Sequence, residues 1–195
     1  MKSINFKSWG VFVLALTLTT AVMAETKKVD TSKSKVEWTG KKVTGSHNGT
    51  IDVKEGTLEV DNGKLTGGTV VIDMQSLKNV DLSDADSNAK LVGHLKSDDF
   101  FSVATYPTAT LEITKVEGTT TNHTITGNLT IKGKTNPVTF TATSAQDGKA
   151  NVYDGTITVD RSKYDVRYGS KSFFNDLGDK YINDEFTLDY HLVTQ

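Results

Sequence analysis

Apolar residues recur at every second position along most of this chain, and that spacing fits a strand with one buried face rather than a helix. The pattern is clearest near the C-terminus, where Ile182, Phe186, Leu188, Tyr190 and Leu192 share one parity while Asn183, Glu185, Thr187, Asp189 and His191 hold the other. A one-residue slip would turn the whole apolar set into water. The same alternation groups Val36 with Trp38, Ile51 with Val53, Leu111 with Ile113, Ile125 with Leu129 and Ile131, Val138 with Phe140, and Tyr153 with Ile157 and Val159. Glycine-bearing pairs stand between these runs and predict turns: Asn48-Gly49, Glu55-Gly56, Asn62-Gly63, Glu117-Gly118, Lys132-Gly133 and Asp147-Gly148. Pro107 and Pro137 fall where strand patterns begin, a position that tolerates a missing N–H.

About eight strands with short turns and one apolar face predict an all-β antiparallel meander. It should close into a barrel, because an open sheet would leave edges unpaired and little sequence remains to cover them. Two stretches interrupt the meander. Residues 83–96 predict a short helix capped by Ser83 or Asp84, with Leu91 and Leu95 as its apolar pair, and residues 170–180 predict a second helical turn or a lid-like loop.

The first 24 residues carry Lys2 and Lys7, an apolar run near Val11–Leu18 and small residues ending at Ala24, the layout of a cleaved secretory signal. The run is too short for a spanning helix, so no stable membrane insertion is expected. Residues 25–195 then form one domain of ordinary size. Without cysteine there is neither a disulfide framework nor a lipid attachment point, and a bacterial periplasm is the simplest compartment. Loss of the signal leaves 20 basic against 24 acidic side chains, and no basic stripe suits a nucleic acid.

Four of the six phenylalanines outside the signal occur as adjacent pairs, Phe100-Phe101 and Phe173-Phe174, each in one of the two interruptions. In a strand one member of each pair would face water, so these are residues of a barrel end. They either plug it or form the mouth of a cavity. Periodicity alone leaves both readings open.

The stretches GSHNGTI (45–51), HLKSDDFFSVATYPTATLEI (94–113), GNLTIKGKTNPVTF (127–140) and DRSKYDVRYGSKSFFND (160–176) appear in an order and spacing that resemble the YceI family of secreted bacterial proteins. The resemblance runs from about Thr31 to Leu192. It implies an extended lipocalin-like antiparallel barrel that holds a long apolar molecule, a polyisoprenoid, isoprenoid quinone or fatty-acid-like lipid. Asp165 departs from the commoner pattern, which often has glycine after the aromatic, and Leu91-Val92-Gly93 is less charged than in many relatives.

On this reading the inner wall is Trp38, Ile51, Leu111, Ile113, Ile125, Leu129, Phe140, Tyr153 and Ile157, with Leu91, Leu95, Phe100, Phe101, Phe173 and Phe174 near an opening. His94, Arg161 and Tyr164, with Arg167 close by, are the polar residues placed to hold a head group or else to staple the barrel end. The four histidines show no HxH or HExxH pairing and have no cysteine partner, so neither a metal nor another cofactor is expected. No GxSxG elbow and no acid pair on one inward face supports catalysis. The reading is a non-enzymatic periplasmic carrier. Its competitors are a filled-barrel stress or interaction protein acting through its outer surface, and an enzyme acting on a lipid or quinone. Whether the mature chain is a monomer or a homodimer is left open.

Overall fold

The computed structural model describes residues 24–195, so the expected signal at 1–24 lies outside the described residues but for its last position. The elements are β1 (Glu25–Lys28), β2 (Lys35–Lys42), β3 (Gly45–Asp61), β4 (Lys64–Asn79), α1 (Ala85–Lys96), β5 (Thr108–Gly118), β6 (Asn122–Ile131), β7 (Lys134–Asp147), β8 (Ala150–Asp160) and β9 (Ile182–Val193). From β2 to β9 each strand pairs antiparallel with its sequence neighbour, and a β2–β9 pairing closes the ring at eight staves. The short β1 adds no stave. It pairs with Thr57–Val60 of β3, beyond the reach of β2, and Val29 bridges to Thr194 at the end of β9.

Closure sorts the connections by length. One end of the barrel, here the lower end, has the tight β3–β4, β5–β6 and β7–β8 turns. The upper end has the β2–β3 and β6–β7 turns together with both long connections, residues 80–107 with α1 and residues 161–181. Asn62-Gly63 and Lys132-Gly133 take positive φ at both positions (50° and 77°, 50° and 70°), the handedness that matches strand twist in two-residue hairpins. Pro137 lies within β7 opposite Asn128 of β6, on a stretch that β8 does not yet pair, so its missing N–H costs no ladder bond. α1 starts as expected, with the Asp84 carboxylate accepting the Ser87 N–H at 2.8 Å. Residues 170–180 form a loop that ends in a single 3-10 turn at Gly178–Lys180.

Two of the expected turns lie inside β3. The chain reverses earlier, at Val43–Thr44, and Asn48-Gly49 and Glu55-Gly56 run on as strand. Gly49 is glycine because of close approach: a Cβ there would stand 1.8 Å from the Lys78 carbonyl oxygen and 2.8 Å from the Trp38 ring. That same Lys78 carbonyl accepts the Trp38 indole N–H at 3.0 Å, so three strands meet at one point. β4 carries alternation only in part: Val70, Ile72 and Met74 share one parity, but Val71 is apolar too, and register shifts against β3 on either side put Leu65 and Leu77 on the other parity.

Gly49→Ala is therefore expected to force β3 away from β4 and to cost about 3 kcal/mol, the upper part of the range for overpacking. Urea unfolding followed by Trp38 fluorescence measures it, and an unchanged midpoint would show that the contact is dispensable.

Candidate functional site: an apolar tunnel open at one end

The inward parity of the staves divides into two groups. Ile51, Ile125, Leu129, Phe140 and Ile157 are buried against neighbours, whereas Leu111, Ile113, Phe186, Leu188, Tyr190 and Leu192 point inward yet keep part of their surface uncovered. An apolar side chain that faces the interior and still has free surface borders empty space. The space is a cavity of about 370 Å³ running along the barrel, within the ordinary range for a ligand site. No aspartate or glutamate lines it.

The two ends differ. At the lower end Leu58, Leu65 and Tyr153 are only 2–3 % exposed, which shuts the tunnel. The Tyr153 and Tyr190 hydroxyls are buried here without a hydrogen-bond partner among the described residues. Burial raises the pKa of both, so they stay protonated. His123 sits beside Tyr153. The Ser144 hydroxyl donates to the Thr120 carbonyl, so His123 Nε2 carries the hydrogen donated to Ser144 Oγ at 2.8 Å. Burial, and then Lys64, lowers the His123 pKa and keeps the ring neutral.

At the upper end the lining reaches solvent through Lys41, Lys42, His47 and Tyr168. A bulge in the β2–β9 pairing between Gly40 and Lys42 breaks the strict alternation and lets both lysines border the opening. His47 is held at 2.8 Å by Asp81. Desolvation would raise the Asp81 pKa, but hydrogen bonds from the Asn48 N–H, His47 and Asn79 outweigh it and hold the carboxyl at about 2.

Phe100 and Phe101 both face inward because they follow α1 in a tight turn rather than a strand. The Phe101 N–H reaches the Leu95 carbonyl, the Val103 N–H reaches that of Lys96, and Ser102 takes φ of 50°. Their rings meet edge to face at 5.0 Å, and His94 stands edge-on to both Phe100 and Tyr168, at 5.8 and 4.3 Å. Above Phe100 at 5.3 Å lies the guanidinium of Arg161, which is 2 % exposed. Four of its N–H groups donate to the carbonyls of Val166, Tyr168, Ile182 and Asn183, and Nη2 stands 3.3 Å from Asp184 Oδ1 as an ion pair. Arg161 is thus a staple that fixes the 161–181 connection onto the barrel rim, with four of its five N–H groups held by backbone carbonyls.

Most of the residues expected at the site come together. Trp38, Ile51, Leu91, His94, Leu95, Phe100, Phe101, Leu111, Ile113, Ile125, Leu129, Phe140, Tyr153, Ile157 and Arg161 all line the cavity. Three do not. Tyr164 is 1 % exposed behind the wall, its hydroxyl pushed up to about 12 by burial and then by Asp160. Phe173 and Phe174 are 39 % and 48 % exposed, because turns onto the Ser170 carbonyl carry the tip of their loop away from the barrel. Arg167 is likewise outside, paired with Asp165 and stacked over Phe173 at 5.0 Å. Asp165, where glycine is the commoner residue, has φ of 61°, a left-handed conformation that aspartate tolerates better than most residues. The expectation passed over two sets of wall residues. One is the β9 set, whose alternation is plain but is not assigned to the wall; the other is Val70, Ile72 and Met74 of β4, which share one parity, with Leu77 set on the opposite parity by a register shift against β3.

A closed antiparallel meander with an apolar interior left unfilled and open at one end is a lipocalin-like barrel of the ligand-enclosing kind. The chain belongs to the YceI-like domain family, whose model matches residues 28–194. It is similar to BcnA of Burkholderia cenocepacia, with 28 % identity and a TM-score of 0.64 over 86 % of this chain and 99 % of that one. It shares its fold with a polyisoprenoid binding domain from Saccharophagus degradans implicated in plant cell wall breakdown, at a TM-score of 0.62 over 87 % and 97 % of the two chains and 14 % identity. A UPF0312 protein of Azotobacter vinelandii is 35 % identical over 103 residues, which are 52 % of this chain and 50 % of that protein. Pseudomonas aeruginosa relatives of the same name are 51 % identical over 49 residues, so the match spans about a quarter of their length.

Two outcomes follow. Arg161→Lys should destabilise the fold by about 3 kcal/mol, since a point charge cannot satisfy the carbonyls that the planar fork holds; an unchanged urea midpoint would contradict the staple. Asp81 has its pKa lowered on folding, so its contribution is present above pH 4 and drains away as pH falls through about 2. The stability difference between wild type and Asp81→Asn should shrink over that window.

Proposed function

We propose that the protein is a periplasmic carrier or store that sequesters one long-chain apolar molecule in its barrel, with no covalent chemistry of its own. The observation that carries this reading is the set of inward apolar side chains with uncovered surface around a cavity of about 370 Å³. Each CH2 taken from water contributes roughly 0.8 kcal/mol, so a tail of many carbons supplies affinity by contact alone, less the costs of association and ordering. The Saccharophagus degradans domain of the same fold is described as polyisoprenoid binding, which favours an isoprenoid chain among apolar ligands. The signal expected at residues 1–24 supports a location outside the cytoplasm.

A filled scaffold working only through its outer face fits less well, since a filled barrel would have no cavity. An enzyme would need titratable groups converging on the tunnel. The polar groups lining it, apart from the lysines and His47 at the rim, are the hydroxyls of Thr110, Tyr153, Tyr168 and Tyr190, the His94 ring, the Trp38 indole N–H, the Asn183 amide and the Arg161 guanidinium, which donates to four backbone carbonyls.

Extraction of the protein purified from its own periplasm, with mass spectrometry of the extract and native mass before and after, tests the reading. A stoichiometric long-chain lipid is the expected result. A clean protein that takes up no polyprenol would overturn it. Leu111→Trp, which fills the tunnel from a half-covered wall position, should weaken uptake at least tenfold, about 1.4 kcal/mol, as followed by binding of a pyrene-labelled fatty acid against a Leu111→Met control.

A further inference from the structure

Among the described residues, the large apolar side chains left exposed are not scattered. Val43, Val80, Tyr106, Tyr168, Phe173 and Phe174 all sit in upper-end connections, and the three lower turns contribute none. Four of them gather on one side of the mouth. Val43 caps the β2–β3 turn, where its N–H reaches the Tyr181 carbonyl at 3.4 Å, which places it against the 161–181 loop that carries Tyr168, Phe173 and Phe174. Tyr168 belongs to both surfaces, being 48 % exposed and also part of the tunnel lining. The patch and the opening are therefore continuous.

Charge follows the same side. The two segments that bear this patch, residues 41–44 and 161–181, hold seven lysines and arginines against three aspartates, in a chain whose net charge is −2. The other long connection, residues 80–107, is acidic, with five aspartates against two lysines, and its helix packs on β4, two staves from β2. An apolar tip ringed by cations suits the boundary between lipid headgroups and acyl chains, where aromatic residues insert and basic ones meet anionic headgroups.

We propose that this rim is a membrane-docking face: Val43, Phe173 and Phe174 enter the outer layer of an anionic bilayer while Lys41, Lys42 and Lys171 meet its headgroups, so that an apolar ligand passes between membrane and tunnel without crossing water. The proposal rests on the carrier reading for its purpose but not for its geometry. Phe173 and Phe174 then have a role outside the tunnel, complementary to that of Phe100 and Phe101 within it.

The test uses the mature protein and vesicles of phosphatidylethanolamine with about one-third phosphatidylglycerol, an arbitrary but sufficient surface charge, beside vesicles of phosphatidylcholine. Co-sedimentation should favour the anionic vesicles and weaken with salt. Substituting Val43→Ser, Phe173→Ser and Phe174→Ser together should reduce association about tenfold and slow transfer of a pyrene-labelled fatty acid out of donor vesicles by a similar factor. Affinity for the same probe delivered in solution should stay within twofold, because none of the three lines the tunnel. Wild-type protein that ignores both vesicles overturns docking, as does a triple variant that transfers at the wild-type rate, or a dimer that buries the patch and excludes vesicles. Failure of the probe to enter the barrel at all, with vesicle association intact, strikes the carrier reading and leaves docking standing.

Discussion

Everything in this molecule depends on the pairing of β2 with β9. Those strands lie at opposite ends of the fold's sequence, and until they meet the sheet has two open edges and an apolar face with nothing to cover it. Once they pair, Trp38 lies opposite Leu188 and Val36 opposite Tyr190, and the one-sided sheet becomes its own cover. Folding to this point brings together residues about 150 positions apart, a contact that carries a large loop-closure cost and is won late.

Closure without filling is the second constraint. A barrel of eight staves can pack its interior solid, and this one does so only at the lower end, where Leu58, Leu65 and Tyr153 converge. Above that level the wall residues reach inward without meeting across the axis. Stability is then carried by the ladder and by side chains such as Ile51, Ile125, Phe140 and Ile157 packed against neighbours along the wall, with Arg161 and its four carbonyls holding the upper rim. Only the axis is left free of that duty.

The sequence made the staves legible wherever one face was apolar and the other polar, as in β6 and β9, and in β6 the wall residues Ile125 and Leu129 could be read off with them, while the equally plain β9 set was left out of the wall. It misled at Asn48-Gly49, because a glycine needed for close approach to Lys78 looks in sequence like a glycine needed for a turn. β4 was hidden for a different reason: Val70, Ile72 and Met74 keep a period of two, but Val71 between them is apolar as well, and register shifts on either side put Leu65 and Leu77 on the other parity. The phenylalanine pairs separated for a cause that no local pattern carries. Phe100-Phe101 is drawn in by bonds to α1, while Phe173-Phe174 is carried out by turns anchored on Ser170.

The arrangement of chain ends has its own consequence. β1 begins opposite Val60, and Gln195 donates its N–H to the Lys28 carbonyl, so both ends of the described chain leave from the shut end of the barrel. A tether or fusion partner joined at either point would therefore set the molecule on a surface with its opening directed away from the support. The barrel can in that way be displayed in a fixed orientation without altering a single residue of its rim.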